Sequence, residues 1–219
     1  MANQLIKICG LSTPETLAVA VDAGADLVGF VHFPKSPRHV SLETAGKLMH
    51  QADGKAKRVI LTVDPDDQLL DEIMTVARPD LLQLHGSETI ERTKEIKTRY
   101  NIPLIKALGV ATAHDLVQAQ KFEGIADLLL LDAKPAPTSE IPGGNGIPFD
   151  WELLAHKSLG PQYMLSGGLT PDNIDRAIRL THMQAVDVSS GVESSRGIKD
   201  IDKIQTFIAN ARAAWRSGV

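Results

Sequence analysis

The sequence predicts an α/β fold, a single (β/α)8 TIM barrel over residues 1–219. Three observations indicate this class. Short apolar segments alternate with amphipathic segments about eight times, as in parallel sheets whose strands are joined by helices. No linker rich in Pro, Gly and Ser divides the chain into domains. The alternative is a doubly wound open sheet, but the first turn, Cys9-Gly10-Leu11-Ser12, lacks its glycine-rich dinucleotide fingerprint.

The predicted strands are short runs of aliphatic and β-branched residues, and each is followed by a helix start signal. The first strand alternates over residues 5–9, and Gly10 ends it. The other strands are predicted at 27–31, 59–63, 81–85, 104–108, 128–132, 163–166 and 186–188. Capping residues and prolines predict helix starts at Thr13, Ser41, Asp64, Ser87, Thr112, Thr170 and Asp200, whereas the sixth strand is followed by a long loop and Phe149-Asp150-Trp151.

Composition narrows the class of protein and its partners. Apolar residues make up 43% of the chain and charged residues 23%, which is ordinary for a soluble globular protein. A net charge of −4 gives no reason to expect nucleic acid or an acidic membrane as a partner. The single cysteine cannot form an internal disulfide, and no signal peptide or membrane-spanning run is recognisable. We therefore expect a cytoplasmic protein.

Polar residues at the carboxyl ends of barrel strands indicate catalysis or binding. Strand alternation predicts that seven polar side chains point into the barrel: Lys7, Cys9, Gln83, His85, Lys106, Asp132 and Asp187. Buried charges need partners, so each lysine is either a substrate contact or a strut paired with Asp132 or Asp187. We expect Lys7, Gln83, His85 and Asp187 to line a substrate site.

Two of these residues suggest proton transfer. Cys9 is either a small core residue or a nucleophile or base, and a nearby ammonium such as that of Lys7 favours the thiolate. Asp132 follows four consecutive leucines, so its carboxylate emerges where a deeply buried strand ends, as an acid or as a loop cap. His85 is a site residue or a core histidine bonded to a backbone carbonyl.

Glycine-rich segments follow the last two predicted strands. In barrels, backbone N–H groups of these two loops often bind a phosphate, and glycine allows close approach. We therefore expect a phosphorylated small-molecule substrate held by Gly167, Gly168, Ser189, Ser190 and Gly191.

Two other loops are informative. Arg38 ends a proline-braced segment, 34–38, and suits capture of a carboxylate, although a solvated arginine is an alternative. The long loop over 133–148 is a lid or a tolerated insertion. His32 and His39 are isolated, and no histidine or cysteine spacing indicates a metal site.

Several segments, spread nearly end to end, are shared in the same order with one known family. They are Lys7-Ile8-Cys9-Gly10-Leu11, Gly29-Phe30, Pro34-Lys35-Ser36-Pro37-Arg38, Gln83-Leu84-His85-Gly86, Leu131-Asp132, Phe149-Asp150-Trp151, Ser166-Gly167-Gly168-Leu169 and Asp187-Val188-Ser189-Ser190-Gly191-Val192-Glu193. Together they closely resemble the phosphoribosylanthranilate isomerase family of tryptophan biosynthesis. The match departs modestly in the long loop, where Asn145 replaces the usual threonine and residues 135–142 look rearranged.

The resemblance implies an Amadori rearrangement of N-(5′-phosphoribosyl)anthranilate without a cofactor. It implies that Asp132 is the general acid on the ribose ring oxygen and that Cys9 is the general base on the C2′ proton. It also implies that Arg38 binds the anthranilate carboxylate and that the two glycine loops bind the phosphate.

Other functions remain open from the residues alone. A ribulose-phosphate type of epimerase would need metal-binding histidines at strand ends, where only His85 is found. A histidine-pathway isomerase would be expected to have an aspartate in place of Cys9. A non-catalytic phosphosugar-binding barrel is the alternative outside enzymes. A monomer is preferred, with a homodimer as the alternative.

Overall fold

The computed structural model describes residues 4–134, 150–155, 157 and 159–217. Eight parallel strands close into a barrel in sequence order, and β8 pairs with β1. The strands are β1 (Leu5–Cys9), β2 (Leu27–Val31), β3 (Lys57–Thr62), β4 (Leu81–Leu84), β5 (Leu104–Val110), β6 (Leu128–Ala133), β7 (Tyr163–Leu165) and β8 (Ala185–Val188). The predicted (β/α)8 class is thereby confirmed. Residues 135–148 of the long loop lie outside the described residues, as do Asn145 within it and Phe149 beyond it.

Helices cover the outside of the barrel. They are α1 (Pro14–Asp22), α2 (Leu42–Gln51), α3 (Asp67–Glu72), α4 (Ile90–Tyr100), α5 (Ala113–Gln120), α6 (Ile174–Thr181) and α7 (Ile201–Arg216), with a 3-10 turn, Trp151–Leu153, after β6. Side-chain caps explain several starts: Thr13, Ser41 and Asp200 each accept a hydrogen bond from a backbone N–H of the first turn. In the described part of the chain, no helix is long and apolar enough to span a bilayer.

Three helices begin later than predicted, and in α3 the cap is Asp66 rather than Asp64. Glu88 does not start α4, because its carboxylate accepts a hydrogen bond from the backbone N–H of Gly86 and pairs with Lys106 at 2.7 Å. Thr89 is the cap instead. Thr170 does not start α6, because its N–H donates to the side chain of Asn173 at 2.8 Å. Asn173 thereby holds a turn before the helix.

The barrel has two apolar layers. Strand residues on the outer face of the barrel, such as Ile8 and Phe30, pack against the helices. A second cluster fills the barrel interior: Leu27, Val59, Leu81, Ile105, Ala107, Leu130, Met164 and Ala185. Its members lie towards the amino ends of most strands, so the polar side chains are left to the carboxyl ends.

The predicted orientation of β5 is wrong. Ile105 and Ala107 belong to the interior cluster, so Lys106 points outward, where its ammonium pairs with Glu88 and donates to the carbonyl of Gly86 at 2.8 Å. The expected pairing of Lys106 with Asp132 or Asp187 is therefore also wrong. Apart from Lys106, the strand is apolar on both faces, so its sequence carries no alternation that would orient it.

A short antiparallel hairpin follows the barrel and was not predicted. Its strands are β9 (Glu193–Ser195) and β10 (Ile198–Lys199), which lie between β8 and α7. Two-residue and three-residue strands are too short for a periodicity to reveal them. The hairpin matters because it places Glu193 and Lys199 beside the carboxyl end of β1.

Candidate active site

Cys9 is the last residue of β1 and is buried at the mouth of the barrel. Its neighbour on β2 is Gly29, paired with it in register. A Cβ atom at position 29 would lie 3.0 Å from Cys9 Sγ and 3.2 Å from Lys7 Cε. Glycine at this position therefore leaves the space that the thiol and the lysine side chain share.

Lys7 lies one layer deeper and forms a buried ion pair with Asp187. Its Nζ lies 2.7 Å from Asp187 Oδ1, and Ser166 donates to Asp187 Oδ2 at 3.1 Å. Burial alone would lower the pKa of Lys7, but the Asp187 carboxylate and the neighbouring Cys9 side chain outweigh it and raise that pKa. Because Lys7 is fully buried, the geometry favours the strut interpretation over a substrate contact for this pair.

We expect Asp187→Asn to destabilise the protein by about 3–5 kcal/mol, because it leaves the Lys7 ammonium buried without a carboxylate. Urea unfolding followed by circular dichroism measures this change. Ser166→Ala is the matched control, since it removes one hydrogen bond to the same carboxylate and keeps the ion pair. A loss in Asp187→Asn no greater than in the control would contradict the prediction.

Arg38 is buried against the mouth and is held by a residue that sequence reasoning missed. Its Nε and Nη2 donate to the two carboxylate oxygens of Glu193 at 2.6 and 3.0 Å. Glu193 also accepts from Lys199 Nζ at 2.9 Å. Burial would raise the pKa of Glu193, but the hydrogen bond from Arg38 and the charge of Lys199 bring it down to about 2. Glu193 is therefore an anion that orients Arg38.

Arg38 also lies close to the end of β1. A Cβ atom at Gly10 would lie 2.7 Å from Arg38 Cδ and 3.2 Å from Ser189 Oγ. The aliphatic part of the Arg38 side chain thus packs over the turn that follows Cys9. The interpretation of Arg38 as a solvated arginine is wrong, because only 5% of the residue is exposed.

Asp132 lies at the end of β6, beside His85 of the β4 loop. The distance from Asp132 Oδ2 to His85 Nε2 is 3.5 Å, and Gln83 Nε2 lies 3.0 Å from His85 Nδ1. An amide that donates to Nδ1 leaves the imidazole proton on Nε2, facing the carboxylate. Asp132 Oδ1 also accepts from the N–H of Ala133 at 2.8 Å, so the predicted capping contact is present as well.

The loops after β7 and β8 are packed against each other. A Cβ atom at Gly191 would lie 1.8 Å from the carbonyl oxygen of Leu169, so only glycine allows this contact. Gly167 has a φ of +77°, and a Cβ there would lie 3.1 Å from Asp132 Oδ1. The two glycine segments are thus brought together, and the first of them touches the predicted acid. Ser189 donates its hydroxyl to the carbonyl of Cys9 at 3.1 Å.

An apolar wall completes the mouth on the side of β2 and β3. Cys9 packs with Val31 and Leu61, and Phe33 and Val63 lie partly exposed against them. No motif predicted this wall, because each of its members is an ordinary aliphatic or aromatic residue. The available signal was strand alternation, because the wall residues lie an even number of positions after the inward-facing residues of β2 and β3.

The structure brings the predicted site residues to one end of the barrel. Around the closed ring, Cys9 lies on β1 and Asp132 on β6, with β7, β8 and their glycine loops between them. Gln83 is fully buried behind His85. Within residues 4–134 and the other described ranges, no group of His, Cys, Asp and Glu side chains has the arrangement of a metal site.

The chain matches known proteins over nearly its whole length. Residues 6–210 match the family model of N-(5′-phosphoribosyl)anthranilate (PRA) isomerase. The N-(5′-phosphoribosyl)anthranilate isomerase of Nitrobacter winogradskyi is 53% identical over 213 residues, which cover 97% of this chain and 95% of the relative.

Two solved structures extend this comparison to the fold. Monomers generated from the dimeric phosphoribosylanthranilate isomerase of Thermotoga maritima superpose with a TM-score of 0.81 at 35% identity, covering 95% of this chain and 98% of theirs. A phosphoribosylanthranilate isomerase in complex with reduced 1-(o-carboxyphenylamino)-1-deoxyribulose 5-phosphate gives a TM-score of 0.82 at 36% identity, with the same coverage. In sequence and in fold, this chain belongs to the phosphoribosylanthranilate isomerase family.

Proposed function

We propose that the protein isomerises N-(5′-phosphoribosyl)anthranilate to 1-(2-carboxyphenylamino)-1-deoxyribulose 5-phosphate, a step of L-tryptophan biosynthesis. One observation carries the mechanism: a thiol and a carboxylate lie at the carboxyl ends of β1 and β6, and the paired glycine loops of β7 and β8 lie between them. A substrate anchored by its phosphate at these loops has an acid on one side and a base on the other.

The first step needs an acid. Asp132 protonates the ring oxygen of the ribose, the bond from C1′ to that oxygen breaks, and the anthranilate nitrogen lone pair forms an iminium at C1′. The place of Asp132 supports this role, because its carboxylate touches Gly167 of the proposed phosphate site. His85 supports it further, since its Nε2 orients Asp132 Oδ2.

The second step needs a base. The Cys9 thiolate removes the C2′ proton, and the released electron pair forms the C1′=C2′ double bond while the iminium nitrogen becomes neutral. The resulting enolamine gains a proton at C1′ and loses its hydroxyl proton, which gives the ketone. No cofactor takes part in either step. Gly29 leaves a space in which the Lys7 side chain lies beside the Cys9 thiol.

The remaining residues bind and position the substrate in this proposal. Backbone groups of Gly167, Gly168, Ser189, Ser190 and Gly191 hold the phosphate, and Arg38 holds the anthranilate carboxylate. The aromatic ring lies on the apolar wall next to Cys9, on the same side of the mouth as the loop that carries Arg38. The reacting groups are positioned by four neighbouring side chains, those of Lys7, Gln83, His85 and Asp187.

The direct test is a fluorescence assay in which the purified wild-type protein consumes N-(5′-phosphoribosyl)anthranilate. We expect consumption with formation of the deoxyribulose phosphate product, checked by chromatography. Absence of consumption in a folded preparation would overturn the enzymatic function. Binding without consumption would favour a phosphosugar-binding barrel.

We expect Arg38→Met to raise KM by about 10-fold to 100-fold, because a charge-assisted hydrogen bond to the carboxylate is lost. The value of kcat should change much less. Steady-state kinetics measures both constants. Lys35→Met, on the exposed part of the same loop, is the control and should leave KM as in the wild type. An unchanged KM in Arg38→Met would reject the proposed role.

We further propose a single-domain, cytoplasmic enzyme. The described elements from β1 to α7 all belong to the barrel, its helices or the hairpin that follows β8, which supports one domain. For the oligomeric state, the sequence favours a monomer, whereas the Thermotoga maritima relative is dimeric. Light scattering on the purified protein distinguishes the two.

A further inference from the structure

Lys106 and Glu88 form a buried ion pair on the outer side of β5. Lys106 Nζ lies 2.7 Å from Glu88 Oε2, and the two side chains are 2% and 1% exposed. Replacing such a pair by apolar residues of similar volume is often neutral or stabilising, because burial strips both charges of water. Stability alone is therefore a weak explanation for this pair, and its hydrogen bonds point to another role.

The pair binds the backbone of the loop after β4 on both sides of Gly86. Lys106 Nζ donates to the carbonyl of Gly86 at 2.8 Å, and Glu88 Oε2 accepts from the N–H of Gly86 at 3.0 Å. This N–H belongs to the peptide unit that directly follows His85. The N–H of His85 itself donates to the carbonyl of Thr62 at 2.9 Å. The backbone of His85 is thus held by hydrogen bonds on both sides.

Glu88 also joins the loop after β4 to the end of β3. Its Oε1 accepts from the N–H of Asp64 at 2.9 Å, and Asp64 Oδ1 accepts from the N–H of Ser87 at 2.7 Å. A Cβ atom at Gly86 would lie 2.5 Å from Asp64 Oδ1, so glycine is required for this approach. The two loops are therefore joined through these carboxylates, and Lys106 anchors them to β5.

We propose that Lys106, with Glu88 as its partner, is a positioning residue that fixes His85 against the acid Asp132. His85 Nε2 lies 3.5 Å from Asp132 Oδ2, so a shift of the His85 backbone changes this contact directly. The role rests on the proposed function, in which Asp132 protonates the ribose ring oxygen. It assigns a part in preparing the acid to a side chain that points away from the barrel interior.

We expect Lys106→Met to lower kcat by about 10-fold to 100-fold, because a displacement of about 1 Å in an active site has an effect of this order. KM should change much less. Arg38 and the glycine loops of β7 and β8, which bind the substrate in the proposed function, lie on other strands. Steady-state kinetics, at a temperature well below the unfolding transition seen by circular dichroism, measures both constants.

Arg58→Met is the matched control. Arg58 lies on β3, and its Nε and Nη2 donate to the carboxylate of Asp80 at 2.8 and 2.9 Å. This ion pair joins β3 to the residue before β4, at the opposite end of the same two strands. We expect the control to unfold at a lower temperature and to keep the kcat of the wild type. A loss of kcat equal to that of Lys106→Met would overturn the proposal.

A double-mutant cycle tests whether Lys106 acts through His85. His85→Ala alone should lower kcat, and adding Lys106→Met to it should lower kcat little further, because the side chain to be positioned is gone. A merely structural role of Lys106 would instead make the two losses multiply. Multiplied losses would overturn the proposal, as would a wild-type kcat in His85→Ala.

A second measurement needs no substrate. Long-range proton–nitrogen NMR spectra report the imidazole nitrogens of the seven histidines, and the signals of His85 are those missing from His85→Ala. We expect these signals to move in Lys106→Met and to stay in place in Arg58→Met. Unmoved signals in Lys106→Met overturn the role of Lys106. Failure of the wild type to consume N-(5′-phosphoribosyl)anthranilate would overturn the proposed function instead.

A charge-neutral variant covers the case in which Lys106→Met does not fold. Lys106→Met combined with Glu88→Gln removes both charges, so that neither is left buried without its partner. The carbonyl of Gly86 still loses the ammonium of Lys106. We expect the same loss of kcat and the same movement of the His85 signals. Wild-type values of both in this folded variant would overturn the proposal.

Discussion

Cys9→Ala is expected to lower kcat/KM for N-(5′-phosphoribosyl)anthranilate by about 100-fold to 10,000-fold, the usual contribution of a general base. The thiol is the only group at the end of β1 that can take the C2′ proton in the proposed mechanism. Steady-state kinetics measures the loss. Circular dichroism should show a folded barrel, because only the sulfur atom is removed from a site already opened by Gly29.

Cys9→Ser distinguishes loss of the base from loss of packing. Serine keeps a side chain of similar shape beside Gly29 and Lys7, but its hydroxyl does not ionise near neutral pH. We therefore expect a loss of activity comparable to that of Cys9→Ala. A rate near that of the wild type in either variant would exclude Cys9 as the base.

Asp132→Asn is the second large expected effect, with kcat/KM again falling by about 100-fold to 10,000-fold. The amide has the shape of the carboxyl group but cannot protonate the ribose ring oxygen. Its oxygen can still accept the hydrogen bond from the N–H of Ala133, now 2.8 Å from Asp132 Oδ1. The variant thus removes the acid and keeps the capping contact.

Asp132→Asn therefore distinguishes a role of Asp132 as the acid from a role as a loop cap only. If the residue acted only as a cap, Asp132→Asn would retain nearly full activity and stability. Thermal unfolding, measured beside the kinetics, should show a change of about 1 kcal/mol or less in the free energy of unfolding, as for an ordinary hydrogen bond. A retained rate would reject Asp132 as the acid.

The fold class was predictable because each strand and its following helix carry local signals. Caps at Thr13, Ser41 and Asp200 act within one helical turn, so the sequence alone reveals them. The start near Ser87 was wrong for a tertiary reason, and the start near Thr170 was wrong because of a local turn. Glu88 is engaged by Lys106 from another strand, and Asn173 closes a turn that a capping pattern does not describe.

Alternation correctly oriented the ends of β1, β4, β6 and β8, where the polar residue shares a face with interior residues such as Leu81, Leu130 and Ala185. It was wrong for Lys106 on β5, because the rest of the strand is apolar on both faces and Ile105 and Ala107 fill the barrel interior. Burial in a parallel sheet removes the contrast on which alternation depends. Orientation is then decided by which side chains fill the interior.

The sequence by itself determined the (β/α)8 class, the residues at most strand ends and the family of the chain, since these depend on local patterns and ordered motifs. Only the tertiary structure decided the partners of those residues. Lys7 meets Asp187 across 180 positions, and Arg38 meets Glu193 across 155. Ion pairs of this kind form because barrel closure brings distant strand ends together, and no short-range pattern records that approach.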